Sequence, residues 1–229
     1  MAGFELVIFD CDGVLVDSEI IAAEVESALL NEAGYPISIE DMAERFAGLT
    51  WKDILFEVER EANIPLSASL LDAPEKLLDK RLANEVRAID GALQAIARIP
   101  GPRCVCSNSS SHRLAAMLKR TGLAALFGDH VYSARDVGEG RTKPAPDVFL
   151  HGAAQFEVDP AQALVIEDSV HGIEAARTAG MRVVGFTGGS HSYPGHADKL
   201  TEAGAETVIA RMADLPATVA ALASWSELT

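Results

Sequence analysis

FELVIFDCDGVLVDSE, residues 4–19, joins a short apolar run, Leu6 to Phe9, to two aspartates, Asp10 and Asp12, just ahead of a turn at Gly13. Alternate side chains of a strand share a face, so Asp10 and Asp12 are expected on one side with Cys11 on the other. Two like charges so close repel, and they call for a cation or a proton between them. A plain turn cap would use the same residues, since Asp and Gly favour turns. The apolar run reads as a strand buried on both faces, the kind found in parallel sheets whose ligands bind at the carboxyl ends of strands.

The chain around this stretch has 229 residues, 48% of them hydrophobic, enough for one large domain or a core with a smaller insertion. No apolar run is long enough to span a membrane, and Met1 to Glu5 carries no basic leader region. A cytoplasmic protein is therefore expected. The odd set Cys11, Cys104 and Cys106 suits reduced, packed thiols, and its spacing is not that of a zinc site. A formal charge of −15 argues against nucleic acid and anionic membranes as partners. It also means that a phosphorylated substrate needs a metal ion and local Lys or Arg to overturn the global field.

Between 18 and 87 every segment reads as helix: 18 to 34, opened by Ser18 and closed by Gly34, then Ile39 to Phe46, Trp51 to Asn63 and Ser67 to Val86, with breaks at Gly48, Pro65 and Pro74. This segment is acidic, fifteen Asp and Glu against seven Lys and Arg. Beyond it, helices and strands alternate. A helix is expected at Gly91 to Arg98, a strand at Arg103 to Cys106, a helix to Arg120 and a strand at Leu126 to Tyr132. A helix follows from Pro146 to Phe156, a strand from Ala163 to Ile166, a helix from Val170 to Ala179 and a strand from Arg182 to Phe186. Val208 and Ile209 offer a sixth, edge strand before a tail helix, Leu215 to Ser224. Such alternation implies an α/β fold with a right-handed parallel sheet. TGGSHSYPGHA, residues 187–197, reads as a mobile surface loop; His191 and His196 have no carboxylate at a fixed spacing to make them a metal pair.

Polar clusters end three strands: Asp10 and Asp12, Ser107 and Asn108, and Glu167 and Asp168. Lys143 stands in the connection GRTKPAPDVF, between Thr142 and Pro144. DCDGV at 10 to 14, CSNSS at 106 to 110, TKPAPDVF at 142 to 149 and IEDSVHGIEAARTAGM at 166 to 181 together resemble the haloacid dehalogenase-like hydrolase superfamily, in the β-phosphoglucomutase-like branch with a helical cap. The resemblance covers nearly the whole chain. It implies a Rossmann-like parallel-sheet core, 1–17 and 88–229, with an inserted all-helical cap domain, 18–87. It further implies Asp10 as nucleophile, Asp12 as general acid and base, Ser107 as a phosphoryl-oxygen ligand, Lys143 as a positive bridge, and Asp10 with Asp168 as Mg²⁺ ligands.

The chemistry of the residues agrees. A carboxylate attacking phosphorus splits a difficult hydrolysis into two steps, and Mg²⁺ takes hard oxygens from one or two carboxylates and the substrate phosphate. Asp10, Asp168 and a main-chain carbonyl near Asp12 supply such oxygens, with Glu167 either a direct ligand or a support for Asp168. Ser107, with the amides at Asn108 and Ser109, begins a helix, where anions bind; a plain N-cap would look the same.

The fold hosts several reactions, so residue types must choose. Dehalogenases of the family lack the second aspartate, and the branch's mutases carry a cap histidine and arginine where this chain has Ala22 and Trp51. Hydrolysis of a small phosphorylated metabolite is therefore expected, with a mutase, phosphotransferase or turnover-free binder as the alternatives. Cap contacts to the substrate are expected from AGLTWK, at Gly48, Trp51 and Lys52, where Trp51 could equally be a core anchor. The stretch GALQAIARIPGPRCVCSNSS resembles, more loosely, bacterial 6-phosphogluconate phosphatases, which suggests a phosphorylated sugar or sugar acid. A monomer or weak homodimer is expected.

Overall fold

The computed structural model describes residues 3–46, 49–62 and 69–225. Strand β1, Leu6–Phe9, is fully buried and lies in the middle of a six-stranded parallel sheet. Its partners are β2 (Arg103–Ser107), β3 (Val131–Ser133), β4 (Ala163–Glu167), β5 (Arg182–Phe186) and β6 (Thr207–Ile209), in the order β3-β2-β1-β4-β5-β6. Phe9 lies opposite Val105 on one side and Ile166 on the other. The strand order switches direction at β1, and the crevice beyond such a switch point is where parallel sheets bind ligands.

Period-two alternation sends the strand side chains to two hydrophobic clusters. Val7, Phe9, Val105, Ile166 and Val184 face one; Leu6, Ile8, Cys104, Cys106 and Val183 face the other. On the first side pack α5 (Ala92–Ala97), α6 (Ser111–Thr121), α7 (Ala124–Phe127) and α11 (Leu215–Trp225). On the second pack α8 (Asp147–Gln155), α9 (Val170–Thr178) and α10 (His196–Glu202). All three cysteines are free and buried. No helix among the described residues is long and apolar enough to cross a membrane.

Four helices intervene between β1 and α5: α1 (Glu19–Glu32), α2 (Ile39–Phe46), α3 (Trp51–Ala62) and α4 (Ser69–Glu85). α1 is buried on two sides, giving Ile21 and Val25 to the first sheet cluster and Ala23 and Leu30 to a third cluster built with Met42, Phe46, Ile54 and Val58. Leu78 and Leu82 of α4 likewise join the sheet cluster. The chain enters and leaves this insertion side by side. Asp17 N–H donates to the Arg87 carbonyl at 2.9 Å, Ile89 N–H donates to Leu15 at 2.9 Å, and Val16 bridges Ala88 antiparallel.

Three expectations need correction. The strand read at Leu126 to Tyr132 is only Val131–Ser133, because Ala124–Phe127 closes into a helical turn. An apolar run of that length fits either state, and Phe127 is buried by edge-on contact with Phe9, ring centroids 5.8 Å apart. The segment 187–197 lies at the surface but is tied to the rim of the sheet: Ser190 and Pro194 are exposed while His191 and His196 are buried, and His196 starts α10.

Pro74 does not break its helix, since α4 runs through it. A proline there has no N–H for the carbonyl four residues back, Leu70, and the Trp51 indole N–H donates to that carbonyl instead, at 2.6 Å. The expected break at Pro65 lies outside the described residues. Trp51→Phe keeps the ring but frees the Leu70 carbonyl, and is expected to cost about 1–2 kcal/mol, read as a lower denaturant midpoint with faster amide exchange in α4.

Candidate active site

The carboxyl ends of β1, β2 and β4 bring the charged motifs together. Asp10 N–H donates to the Ile166 carbonyl at 3.0 Å, which seats the first aspartate against β4. Lys143, only 6% exposed, enters from the connection before α8. Its ammonium donates to Asp10 Oδ1 at 2.5 Å, Glu167 Oε1 at 2.8 Å and the Cys106 carbonyl at 2.8 Å, and lies 4.7 Å from the Phe149 ring centroid. Burial alone would strip this proton, but Asp10 and Glu167 outweigh it and hold Lys143 charged. Burial also pushes the Asp10 carboxyl well up; Lys143 opposes that, while Glu167, Asp168 and Asp12 add to it.

Asp12 is held apart from this pair by hydroxyls. Ser18 donates to Oδ1 at 2.8 Å and Ser107 to Oδ2 at 3.1 Å, and Ser107 Oγ in turn accepts from Ser109 N–H at 3.0 Å. The Asn108 side chain serves Lys143: its Oδ1 accepts from Lys143 N–H at 2.8 Å, so it positions the lysine's backbone.

Glu167 is completely buried. Its Oε1 takes Lys143, and its Oε2 accepts from Asp168 N–H at 2.8 Å, Ser169 N–H at 2.9 Å and Ser169 Oγ at 3.0 Å. With both oxygens engaged, it orients Lys143 and the Asp168 turn. The carboxylate occupies space that only a glycine at 172 leaves open, where a Cβ would fall 1.8 Å from Oε1.

Asp168 is set by residues that spacing did not reveal. His191 Nε2 lies 3.1 Å from Asp168 Oδ2. His196 Nε2 lies 2.8 Å from the Asp168 carbonyl, and because a carbonyl only accepts, that nitrogen carries the hydrogen. Burial opposes a charge on His191, but the hydrogen bond to Asp168 and nearby carboxylates raise its pKa to about 9. Ser190 next to it bonds Asp17, N–H to Oδ1 at 2.9 Å, so the same loop holds both Asp168 and the entry to the helical insertion. At Gly13, with φ +73°, a Cβ would meet Asp168 Oδ2 at 1.8 Å; the turn that ends the first motif must be glycine for Asp168 to reach it.

Four acids, Asp10, Asp12, Glu167 and Asp168, stand here against two cations, the Lys143 ammonium and the His191 imidazolium. That excess of negative charge, all on hard oxygens, suits a divalent cation. Among the described residues no three His, Cys, Asp or Glu side chains form a metal cage, which disfavours zinc. Asp10 and Asp168 each keep one carboxylate oxygen outside the Lys143 and His191 contacts, hard oxygens of the kind a divalent cation takes.

These groups line a cavity of about 360 Å³ that extends under the helical insertion, with Met42, Phe46, Trp51 and Leu71 on its apolar side. Trp51 thus lines the cavity while anchoring α4, and Lys52 reaches the cavity from an exposed position, its ammonium 5.7 Å over the Phe56 ring. Gly48 lies outside the described residues. Glu19 and Glu26 of α1 also line the cavity, and burial raises their carboxyls to about 7 and about 8.

An acid whose pKa is raised by folding stabilises the fold fully below its unfolded value, 4.5, and that contribution is lost as pH rises through about 8. One pKa unit is about 1.4 kcal/mol, so unfolding free energy is expected to drop between pH 5 and 8, and Glu26→Gln should flatten the decline. Equal slopes for the two proteins in urea titrations would contradict the placement of Glu26.

Comparison with known proteins gives a consistent picture. A family model described as haloacid dehalogenase-like hydrolase matches residues 4–180. A 6-phosphogluconate phosphatase of Escherichia coli (strain K12) is 30% identical over 195 residues, 85% of this chain and 87% of that protein. A fructose-1-phosphate phosphatase of the same strain is 32% identical over 189 residues, 77% of this chain and 93% of that one. Among solved structures, a haloacid dehalogenase-like protein from Agrobacterium tumefaciens is 68% identical with a TM-score of 0.92, covering 96% of this chain and all of that one. A HAD family hydrolase from Deinococcus radiodurans, with bound phosphate and sodium, is 34% identical with a TM-score of 0.80, covering 98% of both chains.

Proposed function

Because the chain belongs to the haloacid dehalogenase-like hydrolases and is a phosphatase of that family, we propose that it hydrolyses a phosphorylated sugar or sugar acid, with Mg²⁺, through a phosphoryl group carried on Asp10. The observation that supports this most is the division of labour on the cavity floor. One aspartate is paired with a buried lysine, and the other is held only by hydroxyls. In this reading 1–17 and 88–229 form the catalytic core and 18–87 the cap that closes over it.

An Asp10 carboxylate oxygen attacks phosphorus. As the bond from phosphorus to the leaving oxygen breaks, Asp12 gives that oxygen its proton, and the alcohol departs. Water then attacks the same phosphorus and yields its proton to Asp12, the bond to Asp10 breaks, and inorganic phosphate leaves with both carboxyl groups restored. Lys143 opposes protonation of Asp10 and faces the transferring phosphoryl oxygens, and Ser107 with the amides that follow it faces the remaining ones. Asp10, Asp168 and the main-chain carbonyl of Asp12 would hold Mg²⁺, which supplies positive charge against the phosphoryl oxygens when bound. Glu167 and His191 fix the direction of Lys143 and Asp168. Ala22 on the cavity wall offers no acid or base for a second phosphoryl position, which favours hydrolysis over a mutase reaction.

The test is inorganic phosphate release from a panel of sugar phosphates and phospho-sugar acids, with Mg²⁺ and with chelator. Release that needs the metal supports the reading; an isomerised sugar phosphate without phosphate release would replace it with a mutase.

A further inference from the structure

The stripe of α1 that faces the cavity is Glu19, Ala22, Ala23 and Glu26, the i, i+3, i+4, i+7 positions of one helical face. Two alanines leave a trough between two carboxyls whose Cα atoms stand about 10 Å apart along the helix. No hydrogen bond or ion pair among the described residues engages either carboxyl group, unlike the other acids of the site.

The cavity's cations are all committed elsewhere or exposed. Arg113 donates to Asp79 of α4 at 2.7 Å, Arg135 pairs with Glu75 of α4 at 3.1 Å, Lys143 holds Asp10 and Glu167, and Lys52 is exposed. Counting the lining residues, seven carboxyls face four such cations. A second anion on the substrate would meet unpaired acids on one side and the Met42, Phe46 and Leu71 wall on the other. It would lose its water, and among the described residues the one lining Lys or Arg without a carboxylate partner, Lys52, is exposed.

Resting on the phosphatase reading, we infer that the leaving group is an uncharged polyhydroxy alcohol, with Glu19 and Glu26 hydrogen-bonding its hydroxyls and the apolar wall covering its C–H face. Glu26 then reads a hydroxyl of the alcohol, and the lack of a buried, unpaired cation among the described lining residues selects against sugar acids and bisphosphates. Carboxyls raised as far as these two are able to donate as well as accept near neutral pH, as a hydroxyl-rich ligand requires.

Sorbitol 6-phosphate and 6-phosphogluconate have the same chain length and differ at the terminal carbon, a CH₂OH in one and a carboxylate in the other. Steady-state phosphate release at pH 7 with Mg²⁺ should give a kcat/KM at least about tenfold higher for the polyol ester, a 1.4 kcal/mol preference. Glu26→Gln, neutral and still able to donate and accept, should keep the preference for the polyol ester, and Glu26→Lys should reverse it. Equal or faster hydrolysis of 6-phosphogluconate by the wild type, or an unchanged ratio in Glu26→Lys, would overturn the inference and leave the phosphatase reading intact. No release from any phosphomonoester would overturn both.

Discussion

Asp10→Asn is expected to lower turnover by at least about 10⁴-fold while leaving the melting midpoint unchanged or higher. The amide keeps the shape of the carboxylate but cannot form the bond to phosphorus, and loss of a nucleophile is among the largest single-residue effects in enzymes. Stability should not fall, because the change removes one of four mutually repelling acids around Lys143 and leaves that lysine paired with Glu167 at 2.8 Å. Rapid acid quench with ³²P-labelled substrate provides the second readout, with label retained on the wild-type protein and none on the variant. Near-normal turnover by Asp10→Asn would remove covalent catalysis from the mechanism.

Lys143→Met should be the most destabilising change in the site. The methionine fills similar volume, but Asp10, Glu167 and the Cys106 carbonyl lose a common donor at 2.5 to 2.8 Å. Breaking a buried pair by removing one partner costs about 3–5 kcal/mol, roughly 10 °C in a domain of this size. Without the ammonium that opposes its protonation, Asp10 should then bind its proton more tightly, so the variant recovers stability on acidification toward pH 5 relative to wild type. Turnover should fall by about 10²–10³-fold or more from the lost positive charge alone. A variant as stable as wild type at pH 8 would mean that the ammonium is not the hub of the cluster.

The clustering of acids and hydroxyls on the cavity floor was legible because it is local: short apolar runs buried on both faces end in those residues, and parallel strands side by side bring the ends together. What escaped notice depends on distant partners. His191 lies 23 residues beyond Asp168, in a stretch whose Gly and Ser content resembles any exposed loop, and only folding turns it inward. Pro74 looked like a break because its replacement hydrogen-bond donor, Trp51, lies on another helix. Asn108 reads as a backbone-amide donor in a Ser-rich turn, and only the fold shows its side chain accepting from the backbone of Lys143. Glu26 has the sequence surroundings of any acid on an amphipathic helix. The signal that distinguishes it, two glutamates flanking two alanines on one face, was present and becomes meaningful once that face is known to look into a cavity.

The bonded crossings at Asp17 and Arg87 also bear on descent and engineering. Because the chain departs from the sheet and returns at adjacent points, the intervening helices can be exchanged for others as a cassette without rethreading a strand or shifting a register. Substrate range can then diversify while the phosphoryl chemistry stays as it is. The exchange has one condition: Ile21, Val25, Leu78 and Leu82 complete the apolar cluster over the sheet, so any replacement must bring an oily underside of its own.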